Sequence, residues 1–186
     1  MLDFIFELNK MEIELLRNWV REQHEGQIIP KNGYPYFTHL SAVAALAGGV
    51  VRLGGEIGLC HDLLEDTEIT AGTLNEVLLS FGYSQTDSEI ITTCVVELTD
   101  VYTVFAFGEL KKNERKQLEA ERLITISSRA QTVKYADLID NIGWVLTFDK
   151  QAAKKYLKKK LTLLKDLNKG DRGLWLMAMK LIEDNL

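Results

Sequence analysis

Residues 60–66, which read Cys-His-Asp-Leu-Leu-Glu-Asp, place one imidazole and three carboxylates close together along the chain. The leucines around them predict a helix that buries one face. Because side chains four apart in a helix share a face, His61 would lie beside Glu65, and Asp62 beside Asp66. Charged groups near an apolar interior cost free energy unless they are paired or bind a metal ion. The segment is therefore either a metal-binding and catalytic element or, more simply, a helix end with solvated acids.

Two residues from other regions of the chain would complete a metal site. His39 precedes the segment, and Asp137 follows it at a distance. Together with His61 and Asp62 they supply two imidazoles and two carboxylates, a mixed nitrogen and oxygen set that suits a divalent first-row metal ion. Four such ligands would leave open coordination positions for water and a phosphate oxygen. We therefore predict a site for one divalent ion at these four residues.

The order of these motifs resembles the HD superfamily of metal-dependent phosphohydrolases. Within it, the chain is most similar to the hydrolase domain of the RelA/SpoT family and to the free-standing small alarmone, or (p)ppGpp, hydrolases. The similar stretches are residues 31–39, 61–67, 81–82 and 133–141. The resemblance implies an all-α, compact multi-helix bundle around a single buried metal site that holds one Mn²⁺ ion. It also implies a 3′-pyrophosphohydrolase that acts on (p)ppGpp-like nucleotides through a metal-activated water.

The resemblance also implies roles for residues around the metal. Glu65 and Asp66 would be the catalytic pair, acting as general base or positioning the water. Asn141 lies one helical turn after the last predicted ligand, and the resemblance places it against the ribose or a phosphate of the substrate. Lys31 and Lys134 are candidate phosphate-binding cations, although lysines are more often surface residues. Three further cations have weaker support: Arg115, Lys116 and Arg122.

Four positions depart from the family pattern: Pro30, Leu138 and Gly143 replace basic residues, and Leu40 replaces a proline. Pro30 can neither stack on a base nor hydrogen-bond to it as a guanidinium does. We therefore predict that the metal chemistry is retained while guanine is only weakly preferred over adenine. The long loop 99–112 either anchors itself to the core through its aromatic side chains or offers them for stacking on a base: Tyr102, Phe105 and Phe107.

Two other functions are compatible with the same residues. The chain would be either an HD phosphatase for another nucleotide, including NADPH-type dinucleotides, or an inactive nucleotide-binding module. The intact pair Glu65 and Asp66 argues against an inactive module, because a binding protein does not need it. The missing cations favour an altered ligand.

The composition excludes several classes of protein. The 186 residues predict one domain, 1–186, and the net charge of −5 argues against a general nucleic-acid binder. Cys60 and Cys94 lie in apolar runs and are expected to be buried thiols rather than a metal or disulfide framework. No apolar run is long enough to span a membrane, and Asp3 and Glu7 interrupt the apolar N-terminal stretch. A cytoplasmic protein that acts on a small molecule is expected, with its protein partners left open.

Apolar periodicity predicts helices with two long loops, 25–38 and 99–112. A break is expected near Asn9, and capping boxes at 73–76 and 86–89 predict two helix starts. The lysines between residues 154 and 165 are expected on a solvated face. His24 is expected at the surface or packed against a loop. The predicted helices are 2–24, 40–51, the segment around His61, 74–81, 87–98, 113–125, 128–147, 150–168 and 172–184.

Overall fold

A computed structural model describes the backbone of residues 2–186 and the side chains of residues 11–186. Ten helices span this part of the chain, and the only extended pairing within it is an isolated bridge between Ile28 and Pro35. The predicted all-α class is therefore confirmed. In chain order the helices are α1 Leu2–Gln23, α2 Phe37–Gly48, α3 Gly54–Cys60, α4 Leu63–Asp66, α5 Ala71–Ser80, α6 Gln85–Leu98, α7 Lys112–Thr125, α8 Ser128–Phe148, α9 Lys150–Asp166 and α10 Arg172–Glu183.

Helices α2, α3 and α8 pack against one another at the centre of the fold. The buried apolar face of α2 is formed by Leu40, Val43, Ala44 and Ala47. Gly58 of α3 lies so close to α2 that a Cβ atom there would be 2.7 Å from the Ala44 Cα atom. The end of α3 is thereby held against α2, and the rings of His39 and His61 lie 5.2 Å apart.

The predicted continuous helix through residues 60–66 is wrong. Helix α3 ends at Cys60, and α4 begins only at Leu63, because Asp62 has φ −102° and ψ 2°. The His61 Nδ1 atom donates to the Gly58 carbonyl at 2.8 Å. A continuous helix would offer that carbonyl to the Asp62 N–H, so the histidine side chain competes with the backbone for it.

Helices α5 and α6 begin earlier than the predicted capping boxes. Thr70 accepts a hydrogen bond from the Thr73 N–H, and Ser84 accepts one from the Asp87 N–H. Both capping residues have extended backbone angles, as N-cap residues do. The boxes at 73–76 and 86–89 therefore lie inside the first turns rather than at the helix starts.

The remaining predicted boundaries agree more closely with the structure. Helices α1 and α7–α10 match the predicted ranges to within two residues, and the backbone of α1 continues through Asn9 without a break. Helix α2 lies three residues earlier than predicted and ends at the pair Gly48-Gly49. Cys60 and Cys94 are buried, as expected. Within the described residues, no helix has both the length and the apolar character that crossing a membrane requires.

Candidate active site

The four predicted metal ligands come together from three parts of the fold. His39 lies in α2, His61 and Asp62 at the junction of α3 and α4, and Asp137 in α8. One ligand atom each from His39, His61 and Asp137 lies within 4.8 Å of the others. The Asp62 Oδ2 atom lies 3.0 Å from His61 Nε2 and 3.7 Å from His39 Nε2. The Nε2 atoms of His39 and His61 and the Asp137 carboxylate therefore form one cluster, and the Asp62 carboxylate lies against both imidazoles.

Hydrogen bonds behind the two imidazoles fix which nitrogen faces that cluster. His39 Nδ1 contacts the Asp140 Oδ2 atom at 2.7 Å, and His61 Nδ1 donates to the Gly58 carbonyl. Both Nε2 atoms are thereby left for the centre of the site, an orientation that is common for histidines that bind metals. Among the described side chains, the buried His61 Nε2 atom lies 3.0 Å from Asp62 Oδ2 but makes no hydrogen bond of favourable geometry. An orphaned nitrogen in this donor set fits a divalent ion.

Without a bound ion, the positive and negative charges of the cluster compensate one another. Burial lowers the pKa of His39, but hydrogen bonds with Asp137 and Asp140 raise it to about 10. Burial raises the pKa of Asp62, but the charge of His61 outweighs burial and lowers that pKa to about 2. Lys134 and the two histidines likewise hold the pKa of Asp137 well below its usual range. Both carboxylates are therefore ionised and able to act as ligands.

Lys134 and Asn141 both contact the Asp137 carboxylate. The Lys134 Nζ atom lies 2.8 Å from Asp137 Oδ2, and the Asn141 Nδ2 atom donates to Oδ1. Burial lowers the pKa of Lys134, but the carboxylate raises it overall, so the side chain stays charged. Residues one turn apart along α8 thus orient a single ligand.

Glu65 and Asp66 lie on α4 at the rim of the site, beside a cavity of about 440 Å³. The Asp100 N–H donates to the Glu65 Oε1 atom at 2.5 Å. Desolvation raises the pKa of Glu65 to about 7, with added repulsion from the carboxylates of Asp100 and Asp62. A carboxylate that titrates near neutrality is suited to general-base catalysis.

Two residues of the loop before α2 also support the site. The Tyr36 hydroxyl donates to the Asp62 Oδ2 atom at 2.6 Å, a contact that the sequence did not indicate. His24 stacks on the Tyr36 ring and donates from Nδ1 to Gln27 Oε1. His24 is buried, so the expectation of loop packing is confirmed and the surface alternative is wrong.

The structure places Lys31 away from the four ligands. It has a left-handed backbone, pairs with Asp149 at 2.7 Å and lies 5.9 Å from the centre of the Trp144 ring. Trp144 lines a second cavity of about 380 Å³ that reaches His39 and the carboxylate behind it. Aromatic and apolar side chains make up much of its wall: Ile29, Tyr34, Leu46, Ile139, Trp144 and Phe148.

Sequence reasoning missed Tyr156 and Lys160 on α9. Lys160 is half-buried, whereas the lysines at 154, 155, 158, 159 and 165 are exposed as predicted. Its ammonium group lies 5.2 Å from the centre of the Tyr156 ring. Burial lowers the pKa of Lys160, and the nearby charge of Lys134 lowers it further. Lys160 follows Tyr156 by one helical turn, so the helical spacing contained the signal that it shares the apolar face.

The three weaker candidate cations lie in or beside the 99–111 loop. Arg115 donates to the carbonyls of Phe107 and Leu110, and Arg122 donates to those of Glu97 and Thr99. Lys116 is exposed. The two arginines are therefore engaged by loop backbone. 

The aromatic side chains of the 99–111 loop do not form a single surface. The Tyr102 and Phe107 rings pack on each other 4.9 Å apart, while Phe105 is 98% exposed.

The fold is that of a known hydrolase. A solved structure described as a metazoan ortholog of SpoT that hydrolyzes ppGpp superimposes with a TM-score of 0.76, covering 93% of this chain and 94% of that chain at 20% identity. The predicted helical bundle and its candidate metal site therefore occur in a fold already known to carry a hydrolase.

Sequence comparison finds relatives whose names also describe a hydrolase of a guanosine bis(diphosphate). The chain is 35% identical over 114 residues to human guanosine-3′,5′-bis(diphosphate) 3′-pyrophosphohydrolase MESH1, and 33% identical over 112 residues to the Xenopus tropicalis protein of that name. These matches cover 59% and 58% of this chain, and 55% and 54% of the relatives, so the chain matches about half the length of each. No family model matches the chain.

Proposed function

We propose that the protein is a metal-dependent phosphohydrolase for phosphorylated nucleotides, and that it releases pyrophosphate from the 3′ position of (p)ppGpp-like substrates. The convergence of His39, His61 and Asp137, with Asp62 in contact, carries this proposal. The names of the sequence relatives support the choice of substrate.

Each residue of the site has a role in this proposal. His39, His61, Asp62 and Asp137 would hold one divalent ion, for which we propose Mn²⁺. The ion would supply Lewis-acid chemistry, activating water and neutralising charge on the phosphate.

Two carboxylates of α4 would activate and orient the attacking water. Glu65 takes the proton from the water as general base, and Asp66 orients it. The pKa of Glu65 near 7 supports the first role, because such a base is ionised and still basic at neutral pH.

Lysines of α8 and α9 are the proposed phosphate contacts. Lys134 is held at Asp137, and Lys160 carries a half-buried ammonium with no carboxylate within salt-bridge distance among the described side chains. Asn141, which donates to Asp137 one turn earlier in α8, would also contact the substrate. 

The aromatic cavity is the proposed site of the base. Trp144 offers a stacking surface there, and the Lys31 ammonium group lies 5.9 Å from the centre of its ring. Stacking tolerates any base, which supports weak discrimination between guanine and adenine. Gly143 lines the same cavity, and a Cβ atom there would meet nothing within 4 Å. Gly143 also supplies no cation where the family pattern has a basic residue, and this loss favours a second candidate substrate class, other phosphorylated nucleotides including NADPH-type dinucleotides.

A nucleotide panel tests the proposal. The protein is incubated with Mn²⁺ and ppGpp, its adenine counterpart or NADPH, and the products are separated by ion-exchange chromatography. We expect pyrophosphate from the first two at rates within about 100-fold, equivalent to roughly 2.7 kcal/mol. Release of phosphate from NADPH alone would favour the second class. No turnover of any nucleotide by metal-loaded protein would overturn both.

A further inference from the structure

One peptide unit joins the candidate base to a partly buried ion pair between Arg122 and Glu119. The Asp100 N–H donates to the Glu65 Oε1 atom at 2.5 Å. The carbonyl of the same peptide unit belongs to Thr99, and it accepts a hydrogen bond from Arg122 Nη2 at 3.1 Å. The peptide unit is planar, and in its trans form the N–H and the carbonyl point in opposite directions. The direction of the carbonyl therefore determines where the N–H points.

Arg122 is itself fixed on both sides. Its Nη1 atom donates to the Glu97 carbonyl at 2.7 Å, near the end of α6. Its Nε and Nη2 atoms contact the Glu119 Oε1 atom at 2.6 and 2.5 Å. The planar guanidinium thus ties the end of α6 to α7, and it cannot rotate away from the Thr99 carbonyl without losing these contacts.

Glu119 holds the chain on the other side of Asp100. Its Oε2 atom accepts hydrogen bonds from the N–H groups of Val101 and Tyr102, both at 3.0 Å. Glu119 is 8% exposed, so its charge is satisfied almost entirely by these donors and by Arg122. Asp100 itself is exposed. An exposed residue is therefore held at both neighbouring peptide units by a partly buried pair.

We infer that Arg122 and Glu119 are positioning residues that hold the Asp100 N–H on Glu65 and so orient the catalytic base. This inference rests on the proposed function for the role of Glu65, but the hydrogen-bond path itself does not depend on it. The path would fix the orientation of the Glu65 carboxylate through its contact with the Asp100 N–H.

The contact with the Asp100 N–H affects the pKa of Glu65 in a definite direction. The Asp100 N–H lowers the pKa of Glu65, opposing desolvation and the charges of Asp100 and Asp62; Lys134 of α8 also lowers it. Loss of the N–H contact raises the pKa, because it removes a hydrogen bond to the ionised form. The base is then protonated over a wider range of pH.

The test compares Arg122→Lys with Arg115→Lys in the full-length chain. A lysine at 122 keeps the charge but lacks the planar fork with which the guanidinium reaches Glu119 and two carbonyls from separate nitrogens. Arg115 is the matched control, because it binds carbonyls at the far end of the same loop. We expect Arg122→Lys to move the acidic limb of the kcat/KM profile about one pH unit upward, and Arg115→Lys to leave it in place.

A second measurement does not depend on turnover. The Asp100 amide is followed by NMR during a pH titration with Mg²⁺, which is diamagnetic, and Glu65→Gln identifies the contribution of Glu65. We expect the amide of the parent protein to report ionisation of Glu65, and Arg122→Lys to shift that midpoint upward or abolish it. If no nucleotide is hydrolysed, the proposed function fails, and the titration still decides the inference.

If circular dichroism shows that Arg122→Lys does not fold, Glu119→Gln replaces it in both measurements. It retains the shape of Glu119 and removes the charge that binds Arg122, so the same upward shift is expected. The inference is overturned if the folded variants at 119 and 122 give the same Asp100 midpoint and the same acidic limb as the parent and Arg115→Lys.

Discussion

The two histidines of the metal site differ in what holds them, although they face the same point. His39 is oriented by the carboxylate of Asp140, whereas His61 is oriented by the main-chain carbonyl of Gly58. A carboxylate behind a histidine increases its basicity, and a carbonyl mainly fixes its direction. Both nevertheless present Nε2 to Asp62 and Asp137, so each is expected to be required for the metal.

Replacing His61 by glutamine should remove the metal. The variant lacks the buried Nε2 atom that faces the Asp62 and Asp137 carboxylates. His24→Gln is the matched control, because His24 is also buried and lies outside the ligand set. After growth with manganese and dialysis, elemental analysis should find about one ion per chain in the parent and control and none in His61→Gln. A parent protein without stoichiometric metal would contradict the proposed site.

Replacing Glu65 by glutamine should separate binding from chemistry. The variant keeps the four metal ligands and loses the base, so we expect kcat to fall by about 10²–10⁴-fold with metal content unchanged. Asp66→Asn should act in the same direction through the orientation of the water. Glu68→Gln is the control, since Glu68 lines the same cavity. Parent-like rates in both the 65 and 66 variants would rule out the assigned roles.

The rate should depend on pH through Glu65. As a base it works in the ionised form, and its pKa in the protein is raised to about 7, so activity falls as pH drops through that value. A bound cation would lower this pKa, so the acidic limb is expected below 7. Asp100→Asn removes a charge that raises the pKa and keeps the N–H, so its limb should lie further to the acidic side. An unchanged or alkaline-shifted limb in pH–rate measurements would contradict this assignment.

The sequence indicated the four candidate ligands because their residue types and spacing are unusual. It did not locate Tyr36 or Lys160, because their contacts depend on how separate helices pack. Tyr36 reaches Asp62 across the fold, and Lys160 lies among lysines that are otherwise exposed. Residue types identify chemical groups, whereas the burial of one lysine among several follows from tertiary contacts.

At the scale of helices, the break between α3 and α4 shows what periodicity alone leaves out. Apolar spacing in residues 60–66 predicts a helix, but the imidazole of His61 takes the carbonyl that would continue it. The interruption allows His61 and Asp62 to contact each other at 3.0 Å although they are neighbours in sequence. Side-chain hydrogen bonds to the backbone also explain why α5 and α6 begin at Ala71 and Gln85 rather than at the predicted boxes, because Thr70 and Ser84 cap free N–H groups of their first turns.

The close crossing of α2 and α3 should be sensitive to a single methyl group. Gly58→Ala would place a Cβ atom 2.7 Å from the Ala44 Cα atom, a backbone contact that cannot relax by side-chain rotation. We expect the free energy of unfolding to fall by about 1–3 kcal/mol or more, with weaker metal binding as α3 shifts.

Gly143→Ala provides the matched comparison for this crossing. Its Cβ atom would meet nothing within 4 Å in the middle of α8, so alanine should stabilise that helix by about 0.5–1 kcal/mol. Urea denaturation measures both variants. Equal stability of the two would show that the crossing is looser than the structure indicates.

For the whole molecule, the order of helices followed from the sequence, but the distribution of charge around the site did not. The chain carries a net charge of −5, which repels a phosphorylated substrate at long range. Helices α8 and α9 offset this locally, because they pack together and place Lys134 and Lys160 near Asp137. The lysine run of α9 is therefore not uniform in burial, since the lysines at 154, 155, 158, 159 and 165 are exposed and Lys160 is half-buried.

Neutralising Lys160 should weaken substrate binding more than neutralising a neighbour of equal charge. Lys160→Gln is expected to raise KM for a multiply phosphorylated nucleotide about tenfold or more, because a hydrogen bond between charged groups is lost in a partly desolvated position. Lys158→Gln removes the same charge from the exposed face of the same helix and should change KM less than about twofold. Raising the salt concentration should reduce the effect at 158 and leave most of the effect at 160, because salt screens exposed charges more strongly than buried ones. Equal KM values for the two variants at every ionic strength would show that Lys160 acts only through the overall charge of the protein.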